Sequence, residues 1–106
     1  MGLGQKPKWE VSFPSIGRVD LVSGNTLIEV KKAVNCNVGP GQLEAYLKHF
    51  VSKNRLRKDA VRGILVQKND WPAPGVQERL AEIPYPVELW SVDQNEGGRW
   101  KAERLL

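Results

Sequence analysis

Two carboxylates and an amine lie close together in the stretch GRVDLVSGNTLIEVKK, which covers residues 17–32. Asp20 precedes Glu29 by nine positions, and Lys31 follows Glu29 two positions later. Carboxylate oxygens are the ligands that Mg²⁺ and Mn²⁺ prefer. A neighbouring ammonium can stabilise negative charge that develops on a reacting group. The spacing therefore indicates metal-assisted chemistry on an anionic substrate, provided that the fold brings the three side chains together.

A β-hairpin would bring them together. Gly24 and Asn25 separate two alternating runs, and Gly at the first loop position favours a two-residue type II′ turn. The opposed pairs are then Ser23 with Thr26, Val22 with Leu27, Leu21 with Ile28, and Asp20 with Glu29. Opposed residues share a face of the sheet, and Lys31 shares the face of Glu29. The residues expected to point the other way, into the core, are Val19, Leu21, Ile28 and Val30.

This charged face has two readings. Like charges that lie directly opposite destabilise a sheet, and a divalent cation between Asp20 and Glu29 would remove the conflict. Alternatively, the face is an ordinary solvated strand surface on which Lys31 neutralises Glu29. The residues alone leave both readings open.

The rest of the chain predicts an α/β fold with the element order β-β-β-α-β-α-β and a mixed sheet flanked by helices. The helix QLEAYLKHFVSKN is supported by the helical spacing of Leu43, Leu47, Phe50 and Val51. The other segments, in chain order, are the strands KWEVSF, RVDLVS and TLIEVKKAV before that helix, then the strand AVRGILVQK, the helix GVQERLAEI and the strand VELWSV. AVRGILVQK is expected to be buried on both faces, and RWKAERLL pairs back as a last strand or forms a tail.

Composition narrows the class of protein. The chain has 106 residues, of which 41% are apolar, and this suits one domain over residues 1–106. A single cysteine and the lack of a long apolar run favour a cytoplasmic protein without a membrane span or a signal peptide. The net charge of +4 favours a polyanionic partner.

The motifs, taken in order, resemble the PD-(D/E)XK nuclease superfamily. Asp20 and the Glu29-Val30-Lys31 triplet match its D…(D/E)xK signature. The GRVD segment at residues 17–20 resembles the GRxD segment of NucS-type nucleases, and QLEAY at residues 42–46 matches the QxxxY helix motif of the NucS-like and RecB-like branches. VRGILV resembles the buried strand that follows, so the resemblance covers about residues 10–92.

The resemblance implies a restriction-endonuclease-like core and a Mg²⁺- or Mn²⁺-dependent endodeoxyribonuclease. Asp20, Glu29 and the carbonyl of Val30 would hold the metal, and Lys31 would assist the attacking water. Gln42 and Tyr46 would lie near the site and position DNA or Lys31. The N-terminal helix of this superfamily often brings a further acid, and the Gly- and Pro-containing residues before Glu10 do not predict such a helix. Glu10 is therefore a candidate metal ligand, with a solvated strand residue as the alternative.

Basic side chains supply candidate DNA contacts. They are Arg18 and Lys32 near the site, and Arg55, Arg57 and Lys58 after the main helix. Trp71 is either a core residue or a base-stacking one. A small nuclease would hold DNA better as a homodimer, and the C-terminal Trp100, Leu105 and Leu106 are a candidate interface. Two other functions stay open: a catalytically inactive nucleic-acid-binding module on the same fold, and an unrelated α/β interaction protein.

Overall fold

A computed structural model describes residues 7–13, 17–32, 39–68, 75–94 and 96–106, without the side chains of Lys32 and Gln94. The strands are β1 (Lys8–Phe13), β2 (Gly17–Ser23), β3 (Thr26–Lys32), β4 (Arg62–Lys68), β5 (Val87–Gln94) and β6 (Trp100–Arg104). The helices are α1 (Gly39–Asn54) and α2 (Val76–Ala81), and a 3-10 turn covers Lys58–Ala60. The predicted order is confirmed, with the last strand present. Trp71 lies outside the described residues.

The six strands form one sheet in which spatial order equals sequence order. β1, β2 and β3 pair antiparallel, because short connections join them. β4 pairs parallel with both β3 and β5, since α1 and α2 carry the chain back between these strands. β6 returns antiparallel on β5 and forms one edge of the sheet. The predicted mixed α/β sheet is therefore confirmed.

The main core lies between α1, α2 and one face of the sheet. Leu43 and Leu47 of α1 are fully buried, and so is Leu65 at the centre of β4. α1 approaches β4 closely at Gly63, where a Cβ would lie 2.8 Å from Leu47 Cδ1. The missing side chain at this position therefore allows the helix to pack onto the sheet. The other buried apolar residues of this core are Phe13, Val19, Val22, Leu27, Tyr46, Val61, Val76, Leu80, Ile83 and Leu89.

The prediction for which face of the hairpin enters this core was wrong in part. Val19 is buried as expected, but the core row of β3 begins with Leu27, which is fully buried, whereas Val30 is 38% exposed. Leu21 and Ile28 are only half-buried. The reason is that both described helices contact the face that carries Leu27 and Glu29. For the same reason β4 is fully buried on one face only.

The alternation of buried residues breaks at one point in β1 and β2. Glu10 has a left-handed backbone, with φ at +51°. On β2, Val19 and Val22 are both buried although they are three residues apart, which a regular strand does not allow. Asp20 lies inside this irregular segment. The break therefore reorients the chain at the position of a predicted site residue, as bulges near functional sites often do.

The C-terminal residues of the candidate dimer interface differ in exposure. Leu105 packs against the core, whereas Trp100 is 63% exposed and Leu106 is 38% exposed. No helix in the described parts of the chain is both long and apolar enough to cross a membrane.

Candidate functional site

The hairpin turn sets the geometry of the candidate site. Gly24 has φ at +59°, and Asn25 is not among the residues with positive φ, as a type II′ turn requires. The pairs Ser23–Thr26, Val22–Leu27 and Leu21–Ile28 form as predicted. Regular pairing of β2 and β3 stops there, so the fourth predicted pair, Asp20 with Glu29, is not part of the backbone ladder.

Side-chain carboxylates bridge the two strands where the ladder stops. The Val30 N–H donates to Asp20 Oδ2 at 2.7 Å. The Asp20 N–H donates to Glu29 Oε1 at 3.3 Å. Each carboxylate thus accepts a hydrogen bond from the other strand, in place of a backbone carbonyl. These two bonds hold both acids at one point between β2 and β3.

Glu29 is buried, with only 3% of its surface exposed, so the solvated-face reading does not hold for it. Its Oε2 lies 3.3 Å from Lys31 Nζ, and the Lys31 side chain is 21% exposed. Burial raises the pKa of Glu29 most, and the negative charge of Asp20 raises it further, while Lys31 acts in the opposite direction. The position therefore concentrates negative charge that a single amine offsets only in part.

Tyr46 closes the site from the side of α1. It is 3% exposed, and its hydroxyl donates to the carbonyl of Arg18 at 3.2 Å. Burial is the main cause that raises the pKa of Tyr46, and the negative charges of Glu29 and Asp20 raise it further. The bond to Arg18 places the tyrosine of the predicted QxxxY motif two residues from Asp20 on β2.

Gly17 makes this contact possible. Its φ is +139°, and a Cβ at this position would lie 2.8 Å from the Tyr46 hydroxyl. A larger residue would be strained there and would also displace the tyrosine. The glycine of the GRxD segment is therefore required for a steric reason, because a residue without a side chain lets the α1 tyrosine reach the β2 backbone.

Gln67 is a site neighbour that sequence reasoning did not select. It is fully buried on β4 and lies opposite Lys31 in the parallel register of β3 and β4. Neighbouring residues of paired strands share a face, so Gln67 lies on the face of Glu29 and Lys31. A glutamine inside the apolar run GILVQK was the available signal.

The remaining residues predicted near the site differ in their exposure and in their position relative to the two acids. Gln42 is exposed in the first turns of α1, one helical turn before Tyr46, and Arg18 is an exposed residue of β2. The β1–β2 register puts Glu10 beside Asp20. Lys32 ends β3, and its side chain is not described.

Arg55, Arg57 and Lys58 lie at the far end of α1. Twelve residues of helical rise separate Gln42 from Asn54, the last residue of α1, which corresponds to about 18 Å. Arg57 pairs with Asp59 at 3.5 Å, and Lys58 Nζ lies 6.0 Å from the centre of the Tyr85 ring. These three cations therefore form a second basic region, at the other end of α1 from Gln42.

The donor set suits a hard divalent cation. Asp20 and Glu29 offer carboxylate oxygens, and Mg²⁺ commonly takes one or two carboxylates and completes its shell with water and phosphate oxygens. Among the residues that the structure describes, no group of three or more His, Cys, Asp or Glu is placed to hold a metal ion, so Glu10 does not complete such a group with the other two acids. Two carboxylates with further oxygen donors still fit the coordination habits of Mg²⁺ and Mn²⁺.

Comparison with known proteins supports the fold. No protein-family model and no curated protein sequence matches the chain. Among solved structures, Pyrococcus furiosus SfsA in complex with Ca²⁺ is similar with a TM-score of 0.51 and 12% sequence identity. The match covers 92% of this chain and 52% of SfsA, so the chain spans about half the length of that protein. At this identity the likeness shows a shared fold alone.

Proposed function

We propose that the chain is a metal-dependent nuclease of the PD-(D/E)XK type that hydrolyses phosphodiester bonds in DNA. The observation that carries the proposal is the buried Glu29, held against Asp20 by a bond between strands and within 3.3 Å of the Lys31 amine. A buried acid with a raised pKa, next to a second acid, lowers the stability of the fold. Such acids cluster at functional sites, which is why this one supports the proposal.

We propose that Asp20, Glu29 and the Val30 carbonyl hold Mg²⁺ or Mn²⁺. The bound Ca²⁺ of SfsA, on a similar fold, supports a divalent cation. A cation at this place would activate a water molecule and offset the charge of the phosphate. Glu10 is beside Asp20 in the β1–β2 register but is not grouped with Asp20 and Glu29 in this structure, so as a further ligand it would have to approach them; a Glu10→Gln variant tests this role.

The other residues have proposed roles that follow from their positions. The Lys31 amine, which contacts Glu29, orients the attacking water or stabilises charge on the phosphate. Tyr46 fixes the Arg18 backbone and so keeps that strand segment in place. Gln42, exposed one turn earlier on α1, contacts DNA or Lys31.

DNA is the proposed substrate because the chain is basic and carries two separate sets of cations. Arg18 and Lys32 would bind phosphates next to the cleaved bond. Arg55, Arg57 and Lys58 follow the C-terminal end of α1 and would bind phosphates further along the duplex. A homodimer would double these contacts.

One observation also favours the inactive binding module. Both carboxylates already accept a backbone hydrogen bond, so a protein without catalysis would retain them for the fold. The two functions differ in a simple measurement: the module binds DNA but does not cleave it.

The deciding experiment incubates the protein with supercoiled plasmid and with single-stranded DNA, in Mg²⁺, in Mn²⁺ and in EDTA. We expect cleavage that EDTA stops and that Asp20→Asn, Glu29→Gln and Lys31→Ala each abolish with the fold retained. Glu78→Gln, an exposed acid of α2, is the matched control and should cleave normally. Full activity of a folded Lys31→Ala protein would refute the nuclease assignment, and tight DNA binding without cleavage would favour the module.

A further inference from the structure

The edge strand β6 is an open surface of the sheet. All five of its residues are exposed, and Trp100 is 63% exposed. An exposed edge presents unpaired N–H and C=O groups and can pair with another strand. Its charges are not all of one sign, since Lys101, Glu103 and Arg104 follow one another around Ala102.

The hydrogen bonds between β5 and β6 tell which backbone groups face outward. The Leu105 N–H donates to the Leu89 carbonyl at 2.7 Å. In an antiparallel pair, hydrogen-bonded and non-bonded positions alternate along the strand. Lys101 and Glu103 therefore direct their backbone groups toward β5. Trp100, Ala102 and Arg104 direct theirs to the free edge.

We propose that β6 pairs antiparallel with β6 of a second copy of this chain, about a twofold axis at Ala102. Ala102 then faces Ala102 of the second copy as a hydrogen-bonded pair, which the outward direction of its backbone groups allows. Lys101 faces Glu103 of the second copy, and the twofold axis repeats this contact.

Charge complementarity selects this register. Lys101 and Glu103 occupy non-bonded positions of the new pair, where opposed side chains approach most closely and unlike charges stabilise. A twofold axis at Lys101 would instead oppose two lysines, and an axis at Glu103 would oppose two glutamates. In the proposed register Lys101 also lies between two acids, because Asp93 already faces it across β5.

Trp100 gains a partner in the same register. It faces Arg104 of the second copy, and a guanidinium over an indole ring is a favourable contact. Arg104 is half-exposed and contacts Glu88 through one end of its guanidinium, at 3.8 Å. Its Nε also donates to the Leu106 carbonyl at 3.0 Å, and the side chain is still 56% exposed, so Trp100 of the second copy can reach the face of the guanidinium.

The proposed interface is small, because it joins two strands of five residues. Stable interfaces bury on the order of 1,200–2,000 Å², and smaller ones belong to weak or transient complexes. We therefore expect a dimer whose population depends on protein concentration, with a dissociation constant on the order of 10 μM.

Sedimentation equilibrium of the full chain tests the register through charge reversal. K101E opposes glutamates at both contacts, and E103K opposes lysines. Each variant should weaken dimerisation at least tenfold. The double variant K101E/E103K should restore it. An equimolar mixture of the two single variants should also dimerise, because every acid at the interface then faces a base.

Two outcomes would overturn the proposal. The first is a wild-type protein that remains monomeric up to about 500 μM, well above the expected dissociation constant. The second is a dimer that both single variants retain at full strength, since the interface would then lie elsewhere. K53E and E78K reverse exposed charges on the helices and should leave dimerisation unchanged. Circular dichroism of each variant verifies that the fold is intact.

Discussion

Replacing Glu88 with Gln tests the charge network on the opposite face of the sheet from the candidate site. The Glu88 carboxylate accepts hydrogen bonds from Arg62 Nε and from Trp90 Nε1, the latter at 2.8 Å, and Arg104 lies 3.8 Å away. The side chain is 10% exposed. The bond to Arg62 is the main reason why the pKa of Glu88 falls from 4.5 to about 2. The ionised form therefore stabilises the fold.

The pKa sets the size and the pH range of the effect. One pKa unit corresponds to about 1.36 kcal/mol, so the full difference between 4.5 and about 2 is worth about 3 kcal/mol. Arg62 and Arg104 are 50% and 56% exposed, and water weakens their interaction with the acid. We therefore expect a loss of about 1–2 kcal/mol in the E88Q protein at neutral pH. Because the pKa is lowered, this contribution is complete above about pH 4.5 and is lost as the pH falls toward about 2.

Urea denaturation of wild type and E88Q at about pH 7, 5 and 3 measures this difference directly, and other titrating groups cancel in it. The gap in the free energy of unfolding should be largest at about pH 7 and should narrow at about pH 3. E78Q removes an exposed acid and should change the stability by less than about 0.5 kcal/mol at each pH. A gap of constant size from about pH 7 to 3 would show that packing, and not the charge of Glu88, stabilises this region.

Three further changes probe the site and the core. E29Q should raise the free energy of unfolding at neutral pH, because a group with a raised pKa contributes less to the stability of the fold as the pH rises. E29Q should also remove DNA cleavage. Urea denaturation measures the first effect and the plasmid assay measures the second. Y46F removes the bond to the Arg18 carbonyl and should lower stability by about 1 kcal/mol in the same denaturation assay. G63A should lower the melting temperature through a loss of about 1–3 kcal/mol, because a Cβ there meets α1. G41A, with open space around its Cβ, should be neutral or stabilising.

The hairpin was predictable because its signals are local. The Gly24-Asn25 turn fixes the register of the strands on either side, and three of the four expected pairs form. The covered face was not predictable in the same way. Both rows of β3 contain apolar residues, Leu27 on one side and Ile28 and Val30 on the other. Only the position of the helices decides between these rows, and that depends on contacts far apart in sequence.

The break at Asp20 had no sequence signal at all. The break involves two strands, because the left-handed Glu10 of β1 lies beside the irregular segment of β2. The residue types of Glu10 and Asp20 do not predict this conformation, since a glutamate rarely adopts positive φ. The hydrogen bond from Tyr46 to the Arg18 carbonyl, which the lack of a side chain at Gly17 allows, also depends on residues far apart in sequence.

The break in the ladder explains why the candidate site lies where it does. A regular β2–β3 pair would satisfy the Val30 N–H with a backbone carbonyl, and Asp20 would have no reason to turn toward β3. Once pairing stops after Leu21 and Ile28, the carboxylate of Asp20 takes over that N–H, and Glu29 in turn receives the N–H of Asp20. Two acids are thereby locked together beside Lys31, at a point where repulsion alone would separate them. The irregularity that weakens the sheet is thus also what builds the charged cluster, which makes the fold and the proposed chemistry depend on the same hydrogen bonds.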